Sequence, residues 1–148
     1  MSGKWLLDTN LLLRFARPDV PDHAIAARAV DDLLLTGSEL LFCSQSLGEF
    51  WNVCTRPADR NGFGMDIAAA NHLASLVEVQ FELLPDSPAV HAKWRELIVN
   101  CAVSGAQVHD ARIAALMLVH GVGHILTFND KDFKRFPGVF AVHPGDVG

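Results

Sequence analysis

The sequence predicts a single α/β domain over residues 1–148, with a mainly parallel central sheet of about five short strands flanked by helices. Three observations carry that expectation. Short apolar runs alternate with longer stretches of helical spacing, and those stretches are long enough to cross between parallel neighbours. No repeat, linker or compositional break divides the chain. At 148 residues, 50% of them hydrophobic, the chain can bury one core without staples.

The first apolar run, Lys4–Leu7, stops at Asp8 and reads as a strand. Residues 10–16 are leucine-rich until Pro18 breaks them, giving a turn and a short helix. Asp22 is placed to cap a helix over residues 23–35, whose apolar face is Ala26, Val30, Leu33 and Leu34 and whose stop is Gly37. Residues 40–43 form a second strand, and Ser44 caps a helix running to about Arg56, where Pro57 prevents continuation. Residues 61–64 are a glycine-rich turn, Asp66 caps an alanine-rich helix ending near Val77, and residues 81–84 are a third strand. Val90, Trp94, Leu97, Ile98 and Cys101 recur at helical spacing over residues 87–103, which end at Ser104-Gly105. Residues 108–120 are another helix, closed by Gly121 and Gly123. Residues 124–127 are a fourth strand, 130–136 one or two helical turns, and 139–142 a fifth strand. In such open sheets ligands gather at the carboxyl ends of the strands.

Every apolar run is far shorter than the roughly 20 residues that span a bilayer. Met1-Ser2-Gly3-Lys4 leads straight into the first strand and resembles neither a signal nor a transit peptide, so a cytoplasmic protein away from membranes is expected. Cys43, Cys54 and Cys101 are widely spaced in apolar surroundings and read as reduced core thiols. The formal charge, 12 − 17 = −5, disfavours a protein that holds nucleic acid by bulk charge. If four acids sit in one metal site whose cations cancel them, the remainder is 12 − 13 = −1.

Asp8 ends the first strand, Asp110 opens a late helix, and Asp130 and Asp132 follow the fourth strand, so all lie at element ends where an open sheet builds its site. Carboxylates drawn together cannot all stay ionised without a compensating charge, and hard oxygen ligands select magnesium or manganese. Each acid also has an ordinary reading: a turn for Asp8, a helix cap for Asp110, a solvated loop anchored by Phe133 for Asp130 and Asp132. Glu49 falls almost opposite the stripe of Leu47, Phe50, Trp51 and Cys54, so spacing alone makes it solvent-exposed. The 7 histidines lack ligand spacing and read as structural, His109 included. Trp5, Trp51 and Trp94 read as core or interface.

Four motifs, in order, extend this reading: Leu6-Leu7-Asp8-Thr9-Asn10; Ser46-Leu47-Gly48-Glu49 within a helix; Val108-His109-Asp110-Ala111; and Leu126-Thr127-Phe128-Asn129-Asp130-Lys131-Asp132-Phe133. Each alone is weak, but together, across nearly the whole chain, they resemble the PIN-domain family, particularly the VapC-like toxins of bacterial toxin–antitoxin pairs. The resemblance implies a PIN-like fold with an acidic pocket of Asp8, Glu49, Asp110 and a fourth acid. Such a pocket would hold one or two Mg2+ or Mn2+ ions and hydrolyse RNA, leaving 5′-phosphate and 3′-hydroxyl ends. Asp132, directly before the phenylalanine, fits the fourth place best, with Asp130 the competing candidate. Asn10 matches the family's polar residue beside the metals. Thr127 or Ser46 could orient a carboxylate or a water, or merely cap a turn or helix. Arg14, Lys131, Lys134 and Arg135 could hold the RNA backbone, or form an ordinary solvated surface. The resemblance also implies a homodimer, neutralised by a small cognate antitoxin that covers or invades the pocket.

Other classes fit less well. A haloacid-dehalogenase-type phosphotransferase needs a second Asp two residues after the first, where this chain has Asn10, and a receiver domain needs an acidic pair that is absent. The remaining rival is a catalytically silent PIN-like module that binds RNA or protein. The full set of mutually repelling acids argues against it.

Overall fold

The computed structural model of the protein describes residues 3–148. Met1 and Ser2, part of the expected lead-in, lie outside the described residues. Strands β1 (Lys4–Leu7), β2 (Glu39–Phe42), β3 (Glu82–Leu83), β4 (His124–Leu126) and β5 (Phe140–Val142) form one sheet in the order β3-β2-β1-β4-β5, every pair parallel. Helices α1 (Thr9–Ala16), α2 (His23–Leu35), α3 (Ser44–Thr55) and α4 (Ile67–Gln80) supply the core on one face, and α5 (Pro88–Asn100) and α6 (Val108–His120) cover the other.

This sandwiching explains why the central strands read as continuous apolar runs. Leu6, Leu41 and Ile125 lie side by side in register and enter the core beneath α5 and α6. Their neighbours Leu7, Leu40, Phe42 and Leu126 enter the opposite core with the leucines of α1 and with Phe50 of α3. Successive residues of a strand point to opposite faces, so only a sheet buried on both sides gives an unbroken run. At the margin, both residues of β3 are exposed while the flanking Phe81 and Leu84 are buried. The third strand is therefore a two-residue edge inside the expected 81–84 run, and short edges resist unwanted pairing.

Local chemistry shifts several expected boundaries. Asp66 caps α4 as expected, its carboxylate accepting the Ala69 N–H at 2.8 Å. Asp22 does not cap α2: it sits at φ 69°, outside the extended conformation a capping residue needs, and its carboxylate lies 3.8 Å from Arg14 instead. Ser44 is the first helical residue rather than the cap, because β2 ends at Phe42 and leaves Cys43 at the junction. Helix α5 stops at Asn100, where Ala102 at φ 52° turns the chain back. Cys43 and Cys54 are buried, Cys101 is half-buried, and all three are unpaired thiols. Trp5 and Trp51 pack against one core and Trp94 against the other.

The loop from Arg56 to Met65 is stitched to the end of α3 by backbone bonds from Phe63 to Val53 (2.9 Å), Gly64 to Arg56 (2.8 Å) and Met65 to Cys54 (2.9 Å). Gly62 lies so close to the α3 terminus that a Cβ there would fall 2.0 Å from the Arg56 carbonyl oxygen. Gly62→Ala should therefore lower the unfolding free energy in urea by about 1–3 kcal/mol, the usual cost of forcing extra volume into a packed site.

Candidate metal centre

Asp8 is the residue where β1 becomes α1. Its backbone is extended (φ −77°, ψ 162°), the geometry of a helix cap, and one carboxylate oxygen accepts the Thr9 N–H at 2.9 Å. The other oxygen accepts the Thr127 hydroxyl at 2.8 Å and the Asn10 amide at 3.4 Å. Thr127, fully buried just past β4, also accepts from the Asn10 amide at 3.2 Å and from the Asn129 N–H at 3.0 Å. A hydroxyl has one hydrogen, so both acceptances commit that hydrogen to Asp8. Asn10 completes the knot, its side-chain amide oxygen accepting the Phe128 N–H at 2.9 Å. The first turn of α1 and the loop after β4 are thus fastened around one carboxylate.

The other acids come from three further elements. Glu49 lies on the exposed side of α3, as its spacing predicts, and that side faces the cavity. Thr9 reaches it: its hydroxyl is 3.4 Å from a Glu49 carboxylate oxygen and 3.3 Å from the Ser46 carbonyl, sharing one hydrogen between them. Asp110 is the third residue of α6, not its cap, because the helix begins at Val108. Asp132 projects from the 3-10 turn Asp130–Phe133, which the buried Phe133 pins to the core. Asp8, Glu49, Asp110 and Asp132 line one cavity of about 220 Å³, together with Thr9, Asn10, Asn129, Leu13 and Ile113. Asp130, on the same turn, does not line it.

These acids feel one another. Burial raises the Asp8 carboxyl above its ordinary value of 3.8; the Thr127 and Thr9 hydrogen bonds oppose the rise, and the charges of Glu49 and Asp132 add to it. Asp110 is pushed up to about 6, first by burial, then by the charges of Asp132, Asp8 and Glu49, with His109 acting the other way. Among the described residues no three His, Cys, Asp or Glu side chains form a compact ligand group, so the carboxylates surround the cavity without closing on a point. The donor set is oxygen only and carries excess negative charge. That chemistry fits a hard divalent cation such as magnesium or manganese and lacks the nitrogen and sulfur donors typical of zinc.

Other expected residues fall differently. The Ser46 hydroxyl is buried and receives the Cys43 thiol at 3.3 Å, so Ser46 touches the site only through its carbonyl, by way of Thr9. Arg14 is half-buried on α1, donating to the Asn10 carbonyl at 3.0 Å with its guanidinium 4.6 Å from the Phe128 ring centre. Lys131, Lys134 and Arg135 are exposed on and after the Asp130–Phe133 turn. Thr9 and Asn129 were not singled out by sequence reasoning, and His109 was read as structural. The place of Thr9 between Asp8 and Asn10 was the one available signal for it, whereas His109 gave none beyond adjacency to Asp110.

The PIN domain family model matches residues 5–139. A comparison with curated proteins gave no significant match. Among solved structures, the chain is similar to VapBC2 from Rickettsia felis bound to a DNA fragment from their promoter (16% identity, TM-score 0.72, covering 95% of this chain and 98% of that one). It is similar to a toxin-antitoxin complex from Klebsiella pneumoniae (20% identity, TM-score 0.63, covering 94% and 96%). It is also similar to Mycobacterium tuberculosis VapC20, a Sarcin-Ricin loop cleaving toxin (16% identity, TM-score 0.55, covering 82% and 86%). At these identities the likeness establishes the fold.

Two measurements test the electrostatics. Thr127→Val keeps the shape but takes a donor from a buried carboxylate. It should cost about 1–3 kcal/mol, and because the lost bond favours the ionised form of Asp8 the deficit should grow as pH rises. Asp110 binds its proton more tightly when folded, about 6 against 3.8, so between those values the native chain holds more protons than the unfolded one. Its contribution to metal-free stability is therefore lost as pH rises through that window. Asp110→Asn should be more stable than the wild type at pH 7 in chelator, with the difference vanishing near pH 4. A variant less stable at pH 7 would contradict this.

Proposed function

The chain belongs to the PIN domain family, and from that premise we propose that it is a metal-dependent endoribonuclease, the toxin of a toxin–antitoxin pair. The observation that carries the proposal is the convergence of Asp8, Glu49, Asp110 and Asp132 on one cavity at the carboxyl ends of the strands, with Asp8 and Asp110 held above the usual carboxylate range. A protein without a use for a cation gains nothing from assembling charges that repel.

Asp8 and Asp110 are the principal metal ligands, Asp8 because the Thr127 hydroxyl and the Thr9 N–H hold its carboxylate in place and Asp110 because the first turn of α6 presents it. Glu49 and Asp132 complete the set, and Asp130 is set aside because it does not line the cavity. When bound, magnesium or manganese supplies a more acidic water and offsets charge on the leaving oxygen during in-line hydrolysis of an RNA phosphodiester. Thr127 and Asn10 aim the Asp8 carboxylate, and Thr9 steadies Glu49. Arg14, Lys131 and Arg135 hold the RNA backbone, supplying local positive charge that the whole chain, at −5, does not.

The partner we propose, besides RNA, is a cognate antitoxin, since the Klebsiella pneumoniae neighbour is a toxin-antitoxin complex; we further propose that the chain acts as a homodimer in the cytoplasm. Among the described residues no helix is long and apolar enough to cross a membrane.

Cleavage of a mixed RNA pool should require magnesium or manganese and stop in EDTA. Asp8→Asn and Asp110→Asn should each lower the rate by more than about 100-fold, exceeding the usual loss from a second-shell change. An active, metal-independent Asp8→Asn protein would sink the proposal. Because Asp110 must release its proton to bind metal, the apparent manganese affinity should fall as pH drops below about 6. Calorimetry in buffers of different ionisation enthalpy reads the released proton.

A further inference from the structure

Beside the acid cavity lies a second depression of about 310 Å³, almost wholly apolar, lined by Leu13, Arg14, Val20, Pro21, Val53 and Phe63. Leu13 borders both cavities, so the two adjoin across α1. Phe63 is held there by the backbone bond to Val53, and the Arg17 guanidinium lies 4.2 Å from its ring centre. Arg14 stands at the junction. Its guanidinium is indexed to the acid site through the Asn10 carbonyl and rests over Phe128, with a loose, exposed ion pair to Asp22 at 3.8 Å. Arg17 is engaged by Asp19 and contributes its packing rather than a free charge.

Resting on the ribonuclease reading above, we infer that this depression is a nucleobase subsite: it takes the base of a nucleotide next to the scissile phosphate, against Phe63, while Arg14 meets the adjoining backbone phosphate. The chemistry matches on three counts. A volume near 300 Å³ is at the small end of ligand sites, suiting a single ring system. Its walls are apolar and one is aromatic, the surface on which unpaired bases stack without strong sequence preference. Arg14 borders the apolar pocket and is bonded to Asn10 of the acid cavity, so its cation is placed to meet the phosphate of a nucleotide that spans the two. The charge of −5 makes local anchors of this kind necessary, because bulk attraction to RNA is lacking.

The test is fluorescence anisotropy with a labelled short oligouridylate and a matched abasic ribose-phosphate oligomer, in calcium, for the wild type, Phe63→Ala and Val53→Trp. The wild type should bind the intact oligomer about tenfold more tightly than the abasic one, the effect of one stacked base. Both variants should lose that preference while keeping abasic affinity. Val53→Trp fills the depression without removing Phe63, so it decides the matter if Phe63→Ala melts early. Equal binding of the two oligomers, no binding of either, or a preference that survives in a folded Val53→Trp protein would overturn the subsite. So would groove variants that bind RNA normally but lose a co-purified protein partner, which would give the groove to a protein segment. Cleavage in magnesium, run in parallel, separates the two readings. Cutting without base preference overturns the subsite and leaves the nuclease, whereas base preference without cutting does the reverse.

Discussion

The Asp8 carboxylate, nearly buried at the end of the central strand, is the constraint on which the rest of the site depends. A carboxylate in that position must be given donors or it will take up a proton. The chain supplies the Thr9 N–H, the Thr127 hydroxyl and the Asn10 amide, and the first two oppose, without cancelling, the rise that burial imposes. Each donor fixes something beyond the charge. Thr9 sets the start of α1, Thr127 locks the exit of β4, and Asn10 ties that exit to α1 through Phe128. The parallel pairing of β1 with β4 brings residues more than a hundred positions apart to the same carboxylate, so sheet register and site geometry are one arrangement.

Much of this was legible because period and position are local properties. The unbroken runs at Leu6-Leu7, at residues 40–43 and at Ile125-Leu126 declare a doubly covered parallel sheet, and Asp8, Asp110 and Asp132 stand at element ends. Glu49 shows where such reasoning stops. Its spacing gives exposure correctly, but whether an exposed helix face looks onto solvent or a cavity depends on where α1 and α6 come to rest, which no single helix encodes. Asp22 and Ser44 fail for a related reason. Capping needs a particular backbone angle and the right chain entry, and Pro21-Asp22 turns left-handed while β2 ends one residue earlier than its hydrophobicity suggests. The choice between Asp130 and Asp132 lay beyond the sequence because both sit within a single helical turn. The buried Phe133 decides which of them faces the cavity.

The four acids differ in how firmly they are held, and the difference bears on the cation they suit. Asp8 has three hydrogen-bond donors and almost no exposure; Asp110 rides on a helix, half-buried; Glu49 has one long, shared contact; Asp132 is exposed on a short turn. A structural metal site holds all its ligands in place beforehand, because a closed shell is what stabilises the fold. Of the four proposed ligands two are already positioned, and a cation would have to order the other two at a cost in side-chain entropy. Magnesium is commonly held by one or two carboxylates, several waters and the phosphate of a substrate, since it gives up its hydration reluctantly. An open ring of acids with two fixed members suits the proposed cation better as one that shares its coordination with a substrate phosphate than as a structural metal.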